Sequence, residues 1–380
     1  MVKINRFLLE TCPNHDTCWD LASSPDGNIY IGACMEHTAG GIAELVQFNT
    51  KTRKIRNVAN MAEIASEKFG DTHAPQGKIH LSICPMKDGV IYGSTHCTTP
   101  PIMDRMWDPW AMHTDPTKCF KGARFYRYDP KTEEVLDFGA VVPYEGVSAM
   151  VYDEKTDRFF AGTFPKSHVY SWDKRGRDII DFGRVSEHYI LSFIKYLDGN
   201  IYFTDYYGRL ISIDPINLKL EFLNIKLPHP KYNDGMRNWM SHNVVAPDGW
   251  IYTGMYSYPN LIRFRPDNGE IIIEDLGNNI KNIGKDKIID YAFTQGAPAG
   301  LILRDDTVFY IQLVYMGPKE CIGCFISSFD TKNEKKEYIG QLKSEDGFKP
   351  LVWKGVLGLD NNLYWADFDA VPPSLWSLIL

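Results

Sequence analysis

Apolar and polar positions alternate in short runs along the whole chain, and each run ends in a polar turn. A period of two marks a half-buried strand, because successive side chains of a strand point to opposite faces. Two kinds of run recur. The first follows a turn and ends in an aromatic. It appears as Asp26-Gly27-Asn28-Ile29-Tyr30, Asp88-Gly89-Val90-Ile91-Tyr92, Asp198-Gly199-Asn200-Ile201-Tyr202 and Asp248-Gly249-Trp250-Ile251-Tyr252. Weaker copies are Asp157-Arg158-Phe159-Phe160, Asp306-Thr307-Val308-Phe309-Tyr310 and Asn361-Asn362-Leu363-Tyr364. Asp-Gly before such a run signals a hairpin, since glycine accepts the positive φ that the turn requires. The second kind ends in an aromatic and a polar turn, as in Phe125 to Pro130, Val169 to Asp173, Leu210 to Pro215 and Leu261 to Pro266. A further strand follows most copies, for example Glu134 to Gly139 and Glu270 to Gly277.

Repeated four-stranded units predict an all-β chain, and the marker count predicts a seven-bladed β-propeller. The last unit offers only a third strand, Ser374 to Leu380, while Lys3 to Glu10 alternates like the others. The N-terminal strand is therefore expected to pair with the C-terminal blade and close the ring, which also protects both sheet edges. No Pro- or Ser-rich linker divides the sequence, so residues 1–380 are read as one domain. The excursion from Asn60 to Gln76 is expected to hold a short helix with Ala62, Ile64, Ala65 and Phe69 on its apolar side.

Composition narrows the function classes. The chain has 380 residues, 44% of them hydrophobic, and a net charge of −7. That hydrophobic content supports a core and excludes global disorder. The acidic balance, without a basic stripe, argues against nucleic acid as a partner. No apolar run reaches the ~18 residues of a membrane helix, and no membrane partner is expected. The start of the chain lacks an apolar signal region, which reads as cytoplasmic if that start is native and as secreted or periplasmic otherwise. Eight scattered cysteines, with one CxxC at Cys321–Cys324, read as free thiols rather than a structural zinc site.

In a propeller the short turns lie at one end of the blades. The connections between second and third strands, and between blades, lie at the other. Here those upper connections are long and rich in His, Tyr, Trp, Glu and Arg, and loops on a rigid scaffold commonly carry binding. Eight of the ten histidines (His37, His73, His80, His96, His113, His168, His188 and His242) fall at that end. His80 and His96 are expected side by side at the mouth of the second blade, as base and charge stabiliser. Tyr144, in the third blade, is a candidate acid or base, with Lys166 as the nearby cation that eases loss of its proton. Tyr206, Tyr207, Tyr256 and Tyr258 form a candidate aromatic rim for sugar rings. Glu36, His37, Arg237 and His242 complete the expected substrate-binding set, with Arg237 as a carboxylate clamp. The loop from Thr98 to Gly122 is a candidate lid. Convergent His and Asp residues leave a structural or catalytic divalent metal open, without any linear ligand spacing to mark it.

The run from Gly77 to His96, GKIHLSI followed by KDGVIYGSTH, resembles seven-bladed propeller polysaccharide lyases of the ulvan lyase and rhamnose–glucuronate lyase type. GARFYRYDPKTEEVLDFG, YEGVSAMVYD and FAGTFPKSHVYSWD extend the likeness to about Gly183. The resemblance implies β-elimination at a uronic acid within an anionic oligosaccharide. A base removes the proton beside the carboxylate, a cation or metal stabilises the resulting charge, and an acid protonates the leaving oxygen. It assigns His80 and His96 the catalytic roles, Tyr144 the partner acid or base, and Lys166 or Arg237 the neutralising cation. A glycoside hydrolase on the same scaffold would need carboxylates, for which Glu36, Glu145, Asp205 and Asp367 are present. A non-catalytic protein- or sugar-binding propeller is the third reading. Sugar, linkage and oligomeric state stay open.

Overall fold

The computed structural model describes residues 3–38, 40–68, 73–97, 117–229, 238–279, 297–317, 320–368 and 370–380. Strand β1 (Lys3–Leu8) precedes β2 (Thr17–Ser23), β3 (Asn28–Cys34), β4 (Ala43–Asn49) and β5 (Ile55–Asn60), and a single helical turn, α1 (Met61–Ile64), follows. Next come β6 (Cys84–Pro85), β7 (Ile91–Ser94), β8 (Gly122–Asp129) and β9 (Glu134–Pro143), then β10 (Gly146–Asp153), β11 (Arg158–Phe164), β12 (His168–Asp173) and β13 (Ile180–Arg184). The following group is β14 (Ile194–Lys195), β15 (Ile201–Thr204), β16 (Arg209–Asp214) and β17 (Lys219–Lys226). After it come β18 (Met240–Val245), β19 (Ile251–Met255), β20 (Tyr258–Asp267) and β21 (Glu270–Gly277). The chain continues with β22 (Pro298–Arg304), β23 (Thr307–Gly317), β24 (Glu320–Asp330) and β25 (Lys335–Leu342), and ends with β26 (Leu351–Leu357), β27 (Leu363–Phe368) and β28 (Ser374–Ile379).

Each group from β6 to β25 forms a four-stranded sheet in sequence order. The remaining strands form one eight-stranded sheet. In it β1 pairs antiparallel with β28, from Lys3 opposite Ile379 to Leu8 opposite Ser374, and a single pair, Thr17 opposite Phe368, joins β2 to β27. First strands of successive sheets touch: β2 with β6, β6 with β10, β14 with β18, β18 with β22, β22 with β26, and β26 with β2. Ser148 Oγ on β10 donates to Ile190 O, just ahead of β14, at 2.9 Å. These strands and their leading residues enclose a common channel, and the apolar core lies between the faces of adjacent sheets.

The recurring turn is held by its own side chains. Asp26 accepts from the Asn28 backbone at 2.9 Å and from the Tyr30 hydroxyl at 2.8 Å. Asp198–Tyr202 and Asp248–Tyr252 repeat the hydroxyl bond at 2.7 Å, and Asp360–Tyr364 repeats it at 2.6 Å. Gly27, Gly199 and Gly249 have φ of +83°, +92° and +81°, the left-handed conformation that glycine adopts freely. One aspartate therefore fixes both the turn and the aromatic that ends the next run. Gly162, on β11, serves a different need: a Cβ there would lie 2.7 Å from the Ile190 side chain of the following sheet.

The helix expected between Asn60 and Gln76 is one turn long. Asn60 caps it, its side-chain oxygen accepting from Ala62 N and Glu63 N, and Met61 and Ala62 face inward. Phe69 lies outside the described residues. No described helix is long and apolar enough to cross a membrane. Seven cysteines among the described residues are buried free thiols.

Candidate functional site

The segments leading into the first strands and those leaving the second strands meet at one end of the channel. Seven rings form a closed circuit there. Trp19 approaches His80 (5.3 Å), His80 stacks on Tyr189 (5.9 Å), and Tyr189 meets His188 (4.4 Å). His188 reaches Trp239 (5.9 Å), Trp239 reaches Tyr256 (4.8 Å), Tyr256 reaches Trp353 (5.8 Å), and Trp353 returns to Trp19 (5.8 Å). Tyr206 joins from the side, 5.1 Å from Trp239 and 5.0 Å from Tyr207. Edge-on and tilted contacts dominate, as ring quadrupoles favour.

His96 sits against this circuit, its ring 5.5 Å from that of His80. A two-way backbone bridge between Lys78 and His96 (3.0 and 2.8 Å) sets the register that brings the two histidines together. Gly146 makes room, since a Cβ there would lie 3.0 Å from His96 Nδ1. Both tautomers are fixed by backbone carbonyls. His80 Nδ1 lies 2.6 Å from Ser148 O, and His96 Nδ1 lies 3.1 Å from Cys97 O. A carbonyl only accepts, so each Nδ1 carries the hydrogen and each Nε2 is the basic nitrogen. Burial, followed by the Lys78 charge, lowers the His80 pKa to about 4. Burial, then His80 and Lys78, pushes His96 well below the usual range. Both imidazoles are thus neutral near pH 7.

Beside them lies a buried ion pair that the sequence reading missed. Lys78 binds Glu36, which also accepts from the Trp19 indole. Lys78 and His80 are two residues apart in an extended segment, so they share a face; that spacing was the available signal. Glu36 was expected to touch substrate, and the structure instead gives it the task of holding Lys78. Its own backbone is fixed by Asp16, which accepts from Glu36 N at 2.8 Å and His37 N at 2.9 Å. Burial pushes the Asp16 pKa up, but the bonds from His37 and Glu36 outweigh it and hold it below the carboxylate range. The half-exposed His37 ring sits 3.3 Å from Asp16.

The other expected residues take varied places. Tyr144 stands at the surface, 47% exposed, with φ of +63°. The buried member of that turn is its neighbour Glu145, whose carboxylate accepts from Lys166 N at 3.1 Å and pairs with Lys166 Nζ at 3.5 Å. Burial raises the Glu145 pKa despite these contacts. Lys166, 58% exposed, is thereby committed to Glu145. Tyr206, Tyr207 and Tyr256 belong to the aromatic group. Tyr258 is engaged elsewhere, its hydroxyl donating to Asp275 on β21 at 2.5 Å. His168 likewise pairs with Asp181 at 2.9 Å, and His73 lies 3.3 Å from Glu67. Arg237, His113 and residues 98–116 of the expected lid lie outside the described residues. Among the described residues, no three His, Cys, Asp or Glu side chains converge to hold a metal ion.

His242 lies deeper, packed edge-on against Trp353 at 4.8 Å. It forms part of the wall of a cavity that is inside the channel rather than over the histidine pair. Tyr189 is the other functional-looking residue that sequence reasoning passed over. Its position next to His188 was the only hint.

No protein-family model and no curated protein sequence matches the chain. Solved structures do. A streptogramin B lyase is 12% identical, with a TM-score of 0.63, covering 100% of this chain and 98% of that one. A catalytically inactive histidine-to-alanine variant of virginiamycin B lyase from Staphylococcus aureus, solved with quinupristin, is 11% identical, with a TM-score of 0.63 and 100% coverage of both chains. The β-propeller domain of Cps50 (Swd1) from Myceliophteria thermophila is 10% identical, with a TM-score of 0.59 and 100% coverage of both. The chain has the β-propeller fold.

Proposed function

We propose that the eight-stranded sheet is two blades joined at one residue pair, so that the chain is a single seven-bladed propeller closed by β1, and that its mouth performs β-elimination on uronate-containing oligosaccharides. One observation carries the functional reading: two buried neutral imidazoles, 5.5 Å apart, each with Nδ1 tied to a carbonyl and Nε2 left basic, stand beside Lys78. In this reading one Nε2 takes the proton from the carbon next to the substrate carboxylate. The electron pair forms the new C=C bond as the bond to the glycosidic oxygen breaks, and that oxygen takes a proton from water or from the imidazolium just formed. Lys78, which has N–H donors beyond its bond to Glu36, hydrogen-bonds the carboxylate as charge develops on it. An arriving carboxylate also raises the basicity of the histidines, which burial and the Lys78 charge keep low. The aromatic circuit supplies faces for the sugar rings. The likeness to two lyases, one inactivated by loss of a histidine, supports elimination as the chemistry, and quinupristin therefore belongs in the substrate panel.

The test is incubation with uronate-containing oligosaccharides while following the ultraviolet absorbance of a 4,5-unsaturated uronate. A rise that falls roughly 10²–10⁴-fold in His80→Ala and in His96→Ala is expected, the usual worth of a general acid–base group. New reducing ends without absorbance would replace elimination with hydrolysis. Sugar binding with neither signal would leave a binding propeller.

A further inference from the structure

The channel below the aromatic circuit holds a cavity of about 530 Å³, within the ~300–1,000 Å³ range of small-molecule sites. Its wall is divided. Leu191, Phe193, Val245, Leu301, Leu303 and Leu357 give an apolar side. Ser192, His242, Asn243 and Lys354 give a hydrogen-bonding side. The polar groups are built in: Ser192 Oγ donates to Met240 O at 2.8 Å, and Asn243 Nδ2 donates to Ser192 Oγ at 3.0 Å. Lys354 Nζ is 3.0 Å from the buried Asp20, whose other oxygen accepts from Ile83 N at 2.6 Å. The one cation of this wall is therefore neutralised by a carboxylate that is itself locked in place.

His242 differs from its neighbours. Only 6% exposed, it has no hydrogen-bond partner on either ring nitrogen. Burial and the Lys354 charge hold it in the neutral form. A buried neutral imidazole has one donor and one acceptor to satisfy, and native proteins rarely leave both unmet.

We infer that the channel is a second binding site, for an uncharged amphipathic small molecule whose apolar body lies against the leucine side and whose hydroxyl or amide end meets His242 and Asn243. Charge selects the class. With Lys354 paired to Asp20 and His242 neutral, the described wall offers no uncompensated charge, so a carboxylate would enter without a counter-ion. This site is independent of the elimination proposed for the mouth.

The probes are 1-hexanol and hexanoate, equal in chain length and different in charge. Each is titrated into the full-length protein carrying ¹⁵N-labelled histidine. The His242 resonances are identified by their loss in His242→Gln. Saturable shifts of His242 with 1-hexanol, at least tenfold weaker binding of hexanoate, and unmoved His80 and His96 resonances are expected. Val356→Phe, which narrows the channel and touches none of these hydrogen bonds, should weaken 1-hexanol at least tenfold, and it stands in if His242→Gln does not fold. An unresponsive His242 would mean that only water fills the channel. Equal or tighter hexanoate binding would mean an anion site. Either result overturns the inference.

Discussion

The two ends of the sheets are built by opposite rules. At the turn end the same solution recurs: an aspartate accepts from the backbone two residues on and from a tyrosine hydroxyl four residues on, as at Asp26, Asp198, Asp248 and Asp360. Carboxylates in neighbouring turns, Asp129, Asp214 and Asp330, are held below the ordinary pKa by hydrogen bonds, so their charged forms are favoured. At the mouth nothing repeats. Trp19, His80, Tyr189, Trp239 and Trp353 lie in or just ahead of first strands and Tyr256 just after a second strand, each with a different side chain or setting, and buried histidines are kept uncharged. Where the repeat is kept the residues hold the fold. Where it is abandoned they place polar groups in costly settings, and such settings mark functional sites.

The comparison can be broken at several points. The largest effect is expected from Gly146→Val. The added atoms would press on the His96 ring, which an ideal Cβ already approaches to 3.0 Å. The proposed elimination should fall about a hundredfold through misplacement of His96, while far-ultraviolet circular dichroism stays that of the wild type. Unchanged activity would show that the position of His96 does not matter.

A middle-sized effect concerns acid. His15, at the mouth end, is 5% exposed, has neither ring nitrogen partnered, and is lowered by burial to about pH 4 from 6.5. The unfolded chain therefore binds more protons than the folded one between about pH 6.5 and 4. The stability tied to this group is complete above the upper value and is lost as pH falls through that window. His15→Leu should flatten this acid limb in urea titrations run across pH, and should gain about 1–3 kcal/mol at pH 5, the worth of a buried unmet polar group. An unaltered limb would assign acid sensitivity to other residues.

The smallest effect belongs to the turn end. Tyr202→Phe removes the 2.7 Å bond to Asp198 and leaves the ring packed. A loss of about 1–2 kcal/mol is expected, with catalysis untouched. A fall in activity would mean that the turn end takes part in function.

The strands were legible because their signals are local. Alternation, Asp-Gly turns and terminal aromatics lie within five or six residues of one another, and the observed hairpins follow them. The pairing of β1 with β28 was legible for another reason, since Lys3 to Leu8 alternates but has no neighbour in sequence to pair with. The mouth was only half legible. His80 and His96 could be placed together from strand register alone. The Lys78–Glu36 pair spans two sheets, so nothing local announces it. Tyr258 misled because a rim position and a bond to the fourth strand of its own sheet look alike until the fold of β20 onto β21 is known. For Tyr144 the left-handed backbone turned the following residue, Glu145, inward instead.

The β1–β28 pairing also sets a timetable. Asn5 bonds to Ser377 at 3.1 Å across 372 positions of chain, and Arg6 bonds to Ser374 while lying 4.0 Å over the Phe348 ring. On the ribosome β1 emerges ahead of the other described strands and waits while the intervening sheets are made, its edge unpaired and open to stray strands. Contacts this distant in sequence are slow to form and come late in assembly. Lys3 and Arg6 give β1 two positive charges throughout the wait, so the strand that later pairs with β28 also discourages premature partners.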